Sequence, residues 1–178
     1  GNSAAIIELE NELAKLHNKE KALVFSSGYV ANESTISTIL ELLGDAIVFS
    51  DEKNHASIIS GIKKSNAKKE IFRHNDLDHL ENLIKVYPKD SAKLIIFESI
   101  YSMDGDFGDI AGIVAIAKKY KAMTFIDEVH AVGMYGETGA GVSEELNLNN
   151  KIDIIQGTLG KAYGTMGGYI TSTELICD

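Results

Sequence analysis

Short apolar blocks rich in Ile, Val or Phe recur along the chain, at Ala22–Phe25, Ala46–Phe49, Glu70–Phe72, Leu94–Phe97, Met123–Ile126 and Ile152–Ile155. Most read as continuous apolar runs rather than as alternation, the pattern of strands buried on both faces. Between most of them lie helix-like stretches, near residues 30–43, 56–66, 77–86 and 110–120. Residues 4–17 carry Ile6, Leu9, Leu13 and Leu16 at helical spacing. A last block, Gly167–Thr171, follows Ile152–Gln156 after a compact loop and is placed to be its antiparallel neighbour. Short strands alternating with amphipathic helices predict an α/β fold, a mostly parallel sheet flanked by helices.

Open sheets of this kind bind ligands beyond the carboxyl ends of their strands. The unusual residues fall there. Ser26-Ser27-Gly28-Tyr29 follows the first strand, and Ser50-Asp51 with Asn54-His55 follows the second. Glu98 and Tyr101-Ser102-Met103-Asp104-Gly105 follow the fourth, Asp127-Glu128-Val129-His130 the fifth, and Thr158 with Lys161 the sixth. Polar groups from separate strands are predicted to converge on one rim.

Composition narrows the picture. Of 178 residues, 44% are hydrophobic and 24% charged, which favours a packed core over disorder. A net charge of -9 argues against nucleic acid as a partner. The single cysteine, Cys177, cannot form an internal disulfide or a cysteine metal cluster, and points to a reducing compartment. No apolar run reaches the ~18 residues of a membrane span. With one proline, Pro88, and no Gly/Ser linker or repeat, no internal domain boundary is expected. Gly1-Asn2-Ser3 is neither a signal peptide nor an initiator methionine, and the chain reads as a segment of a longer parent.

The candidate chemistry has plain alternatives at each position. Asp127 ends a buried strand, where a carboxylate needs a partner, and His130 lies three residues on; taken alone, a capping Asp and a core His are the plainer explanation of the pair. Lys161 lies just past a strand in Gly157-Thr158-Leu159-Gly160-Lys161-Ala162, with little bulk around it. It can enter a pocket and lose its charge by desolvation, as a lysine that binds a carbonyl must, or it is a surface lysine. Ser27-Gly28-Tyr29 opens a helix whose first amides suit a phosphate, or is a simple N-cap. His55 suits stacking on a planar ring, or is structural. His17, His74 and His79 read as surface or structural, no metal-ligand spacing is present, and Gly133, Gly136, Gly139 and Gly141 read as tight loop geometry. Taken together, a lysine for an aldehyde, an acid for a pyridinium nitrogen, a helix start for a phosphate and a His over the ring are what a protein must supply to pyridoxal phosphate.

At this point the sequence resembles the α-oxoamine synthases, a pyridoxal-phosphate family of fold type I. The resemblance runs over essentially all 178 residues. It is carried by Phe72-Arg73-His74-Asn75-Asp76, Phe97-Glu98-Ser99-Ile100-Tyr101-Ser102-Met103-Asp104-Gly105-Asp106, Asp127-Glu128-Val129-His130-Ala131-Val132-Gly133-Met134-Tyr135-Gly136, and Gly157-Thr158-Leu159-Gly160-Lys161-Ala162 with Met166-Gly167-Gly168-Tyr169. The resemblance implies that Lys161 holds the cofactor and moves the substrate proton, that Asp127 pairs with the pyridine nitrogen, and that His130 bonds the phenolic oxygen. It implies that His55 stacks on the ring and that Gly28, Tyr29, Ser102 and Thr158 complete the cofactor pocket. Ser50, and more weakly Asn54, are implied on the substrate side, and no metal is implied. The forms D-E-V-H-A-V-G-M-Y-G and M-G-G-Y-I point to the member that condenses glycine with succinyl-coenzyme A, losing carbon dioxide and coenzyme A, at the start of haem synthesis; sister members tend to have D-D-x-H. A homodimer is implied, cytoplasmic in bacteria or in the mitochondrial matrix of eukaryotes, as is a partial large, cofactor-binding domain over residues 1–178. The family's N-terminal segment and C-terminal small domain are absent from these residues, so little or no activity is expected of them alone. Phe107-Gly108-Asp109 departs from the apolar-Ala-Pro stretch usual there. A sister acyltransferase and a non-catalytic remnant that keeps the fold are the competing expectations.

Overall fold

The computed structural model describes residues 3–178. Seven strands form one sheet in the order β1-β7-β6-β5-β4-β2-β3. They are β1 (Lys21–Phe25), β2 (Ile47–Asp51), β3 (Lys68–Phe72), β4 (Lys93–Glu98), β5 (Met123–Asp127), β6 (Ile154–Thr158) and β7 (Gly168–Ser172). Strands β3, β2, β4, β5 and β6 pair in parallel, whereas β7 runs antiparallel to both β6 and β1. The expected antiparallel partner of β6 is therefore present, and β1 lies beyond it.

Helices α1 (Ala4–Leu16), α2 (Gly28–Leu42), α3 (Ala56–Lys64), α4 (Leu77–Ile84) and α5 (Ile110–Tyr120) cover the sheet. Alternation along the strands splits the core in two. Phe49, Ile95, Phe97 and Ile126 pack with Leu80 and Ile84 of α4 and Ile113 and Ile116 of α5. Val48, Leu94, Ile96 and Phe125 pack with Ile36 and Leu40 of α2 and Ile58 and Ile62 of α3. This explains why β2, β4 and β6 are buried along their whole length and carry adjacent apolar residues rather than a strict alternation. Leu13 and Ala14 of α1 pack on Ala22, Leu159 and Tyr169 at the β7 end of the sheet.

Several strand boundaries differ from the sequence expectation. The apolar block at Ile152–Ile155 enters the sheet only at Ile154, because the Asp153 carboxylate first accepts from Thr124 N at 2.7 Å and Thr124 Oγ1 at 2.9 Å. Ser50 and Asp51 close β2 rather than follow it. The glycines of the 133–141 stretch all take positive φ, between 81° and 108°, so that loop does need glycine. Among the described residues no helix is long and apolar enough to cross a membrane.

Candidate active site

At the carboxyl rim of β4, β5 and β6 a cavity of about 230 Å³ opens beside the N-terminus of α2. That lies just under the ~300–1,000 Å³ usual for small-molecule sites, room for one compact ligand. Gly28, Tyr29, His55, Asp127, His130, Thr158 and Lys161 line it, together with Asn32, Ser57, Glu98, Val129 and Gly160. A larger groove of about 920 Å³ runs between α1 and the 159–166 loop, lined by Leu9, Leu13, Tyr163 and Met166 among others. Among the described residues its lining holds no cluster of buried titratable groups such as the smaller cavity has.

The floor is acidic. Glu98 and Asp127 stand opposite each other in register at the ends of β4 and β5, 1% and 2% exposed. Asp127 accepts from Asn32 Nδ2 at 2.7 Å and Val129 N at 2.9 Å. Burial raises its pKa and outweighs the opposing effect of those two donors and of the His55 and Lys161 charges. Glu98 accepts from His55 N at 2.5 Å, and burial, reinforced by the Asp127 charge, pushes its carboxyl up to about 8. Asp127 receives no hydrogen bond from a cationic side chain among the described residues, which suits a positively charged ring.

His55 is held from below. Its Nδ1 accepts from Ser57 N at 3.2 Å, capping α3, and lies 2.7 Å from Ser57 Oγ. Asn32 Nδ2 donates to Ser57 Oγ at 3.0 Å as well as to Asp127, so one amide joins the ring to the floor acid. The edge of Tyr29 meets His55 at a centroid distance of 6.3 Å. His130 is half-buried, and burial, then the Lys161 charge, lowers its pKa. The roof is the start of α2, where Ser27 Oγ accepts from Val30 N at 3.1 Å while Gly28 and Tyr29 begin the open first turn. Gly168 lets β7 come this close: a Cβ there would lie 2.4 Å from Gly28 N.

Three expected residues stand apart from the cavity. Ser102 lies exposed in the turn after β4. Ser50 and Asn54 are buried behind the rim, where Asn54 Nδ2 donates to Ser50 Oγ at 2.9 Å and to Ile96 O at 2.8 Å. Lys161 lines the cavity but is exposed rather than desolvated, because the whole 160–166 loop is open to solvent. Sequence reasoning missed Asn32 and Ser57. Asn32 lies four residues after Gly28 on the buried face of α2, and a polar residue among Ala31, Thr35 and Ile36 was the available signal. It also missed the setting of His74, whose ring bridges Asp51 at 3.0 Å and Asp106 at 2.6 Å. Burial lowers its pKa, but these two partners outweigh burial and raise it.

An open, largely parallel sheet thus carries acids, a lysine and a helix start at its carboxyl rim, where sheets of this kind bind ligands. The chain belongs to the family described as aminotransferase class I and II, whose model matches residues 1–178. It is 57% identical over all 178 residues to a 5-aminolevulinate synthase of Rickettsia bellii, of which it spans 43%. It is 55% identical over 170 residues, 96% of this chain, to 5-aminolevulinate synthase 1 of Cereibacter sphaeroides, of which it spans 42%. A serine palmitoyltransferase of S. paucimobilis with bound PLP–myriocin aldimine superposes with a TM-score of 0.89 at 37% identity, over 97% of this chain and 43% of that one. An 8-amino-7-oxononanoate synthase of Francisella tularensis superposes with a TM-score of 0.80 at 29% identity, over 99% of this chain and 50% of that one. The chain thus spans less than half the length of the curated relatives it matches.

Proposed function

We propose that these residues form the pyridoxal-phosphate site of a 5-aminolevulinate synthase, which condenses glycine with succinyl-coenzyme A and releases carbon dioxide and coenzyme A. The observation that carries this reading is the convergence of Asp127, His55, His130, Lys161 and the α2 start on one small cavity. The 57% identity to a 5-aminolevulinate synthase favours that member over the sister synthases that superpose at 37% and 29%.

The residues fit the cofactor by their chemistry. Asp127, buried without a cationic partner, would pair with the ring nitrogen and keep it protonated. The first amides of α2 and the Thr158 hydroxyl would hold the phosphate. His55, fixed through Ser57 and its bond to Glu98, would lie against the ring, and His130 would reach the phenolic oxygen. When bound, pyridoxal phosphate supplies an electron sink for the carbanion formed at the substrate α-carbon. Lys161 would anchor the cofactor and take the proton from that carbon; its exposed loop leaves the amine free to move between the two tasks. Ser50 and Asn54 remain candidates for the substrate side and Ser102 for a cofactor contact, all three away from the cavity itself. We place residues 1–178 in the large, cofactor-holding domain of a homodimeric enzyme, with the grip on the glycine carboxylate outside them.

The test is visible absorbance of the protein titrated with pyridoxal phosphate, beside Lys161→Ala. A saturable band that the variant lacks is expected; a band that survives in Lys161→Ala removes that lysine from its role. Product analysis on a polypeptide of the relatives' length, with glycine and several acyl-coenzyme A donors, is expected to give 5-aminolevulinate. Preference for another amino acid or acyl group would replace this reading with a sister synthase.

A further inference from the structure

Two buried acids form the cavity floor, and the reading above gives a charge-pairing role to only one. Glu98 and Asp127 are register partners on adjacent parallel strands. Both line the same small cavity, and neither is more than 2% exposed. Their support is unequal. Asp127 accepts from two donors, Asn32 Nδ2 and Val129 N, which favour its ionised form against the burial that disfavours it. Glu98 receives the amide of His55.

The charged and titratable groups around Glu98 come from every neighbouring element. They are Asp127 on β5 with His130 after it, His55 at the start of α3, Asp51 at the end of β2, Tyr101 after β4 and Lys161 after β6. Asp127 and Asp51 disfavour a negative Glu98; Lys161 favours one, but stands exposed at the cavity mouth. Two side-by-side carboxylates in a water-poor pocket do not both stay ionised, and the proton goes to the one whose anion is less well bonded.

We propose that Glu98 is a positioning residue of this site: it stands as a neutral carboxylic acid, fixes the backbone of His55, and leaves Asp127 as the single anion of the floor. The floor then matches a ring with one positive charge, and the importance of that match rests on the cofactor reading above. The placement of the proton does not. Burial and the Asp127 charge set the limit of this state near pH 8, above which the floor gains a second anion.

Carboxyl carbon NMR of the protein without cofactor reads the proton directly. A Glu98 signal titrating near pH 8 is expected, absent in Glu98→Gln and moved to lower pH by Asp127→Asn. Titration in the ordinary range of about 4–5, or no response to Asp127→Asn, overturns the proposal. The wild-type titration alone decides this if Asp127→Asn does not fold. Pyridoxal phosphate affinity supplies a second readout. Glu98→Gln keeps an oxygen for His55 N and a neutral side chain, so the ratio of wild-type to variant affinity is expected near one below pH 7 and to depart from one above pH 8. A tenfold loss in Glu98→Gln at pH 7 would mean that the anion is needed, and the proposal falls. If the wild type binds no pyridoxal phosphate at any pH, the cofactor reading fails while the NMR titration still stands.

Discussion

Asn32 reaches from the second turn of α2 to the end of β5 and donates to Asp127 at 2.7 Å. The same Nδ2 also donates to Ser57 Oγ, so the amide holds together a helix, a strand and the cap of α3. No charge is spent on this junction, which leaves the Asp127 anion available for a ligand.

Asn32→Ala is therefore expected to leave Asp127 with one donor and Ser57 Oγ without this one. Loss of buried hydrogen bonds to a charged group costs about 1–3 kcal/mol, read as a lower urea midpoint. Pyridoxal phosphate affinity should fall in the same variant. An unchanged midpoint would show that water replaces the amide without cost.

His17 ties stability to pH. It is fully buried, its Nε2 lies 2.9 Å from Tyr169 Oη, and its Nδ1 has no partner among the described residues. Burial lowers its pKa from 6.5 to about 4. Between those values the unfolded chain binds a proton that the folded chain refuses, so stability falls as pH falls. The contribution is fully present above about pH 6.5, and its loss amounts to roughly 3 kcal/mol once pH passes below both values. Urea midpoints measured from pH 7 to 5 should decline in the wild type and less steeply in His17→Gln. Equal slopes would place the effect elsewhere.

Gly168→Ala tests the closeness of β7 to the start of α2. The added Cβ would lie 2.4 Å from Gly28 N and 2.5 Å from Gly28 Cα, and neither is a flexible side-chain end. The helix start must move, at about 1–3 kcal/mol for an overpacked contact. A lower Tm with weakened phosphate binding is expected; an unchanged Tm would mean that the rim yields freely.

The fold was legible because its central strands are buried on both faces and its helices on one. Leu94–Phe97 and Met123–Ile126 could hardly be anything else in a chain with this spacing. The places of Asp127 and Lys161 in the cavity lining were signalled for a related reason, since each breaks an apolar or glycine-rich context with a charge. Asn32 and Ser57 were not, because a neutral polar residue on a helix gives no sign of which strand it will meet. His17 was underread: it lies four residues after Leu13, on the same face of α1, and that spacing placed it inward. The family resemblance named Ser102, Ser50 and Asn54, yet the turn after β4 and the end of β2 set them away from the cavity.

The reversed strand β7 has a consequence for how the molecule comes into being. It lies between β1 and β6, joining the first strand of the chain to the sheet through the last. The cavity inherits this arrangement: Gln156 Nε2 contacts Gly28 O across 128 residues of sequence. Contacts that distant are slow to form, since a long stretch of chain must be gathered before they are rewarded. During synthesis the parallel strands can pair as they emerge, but β1 waits for β7. This rim of the cavity is thus completed only once β7 has docked, and a ligand that needs the rim can select only chains in which β7 is in place.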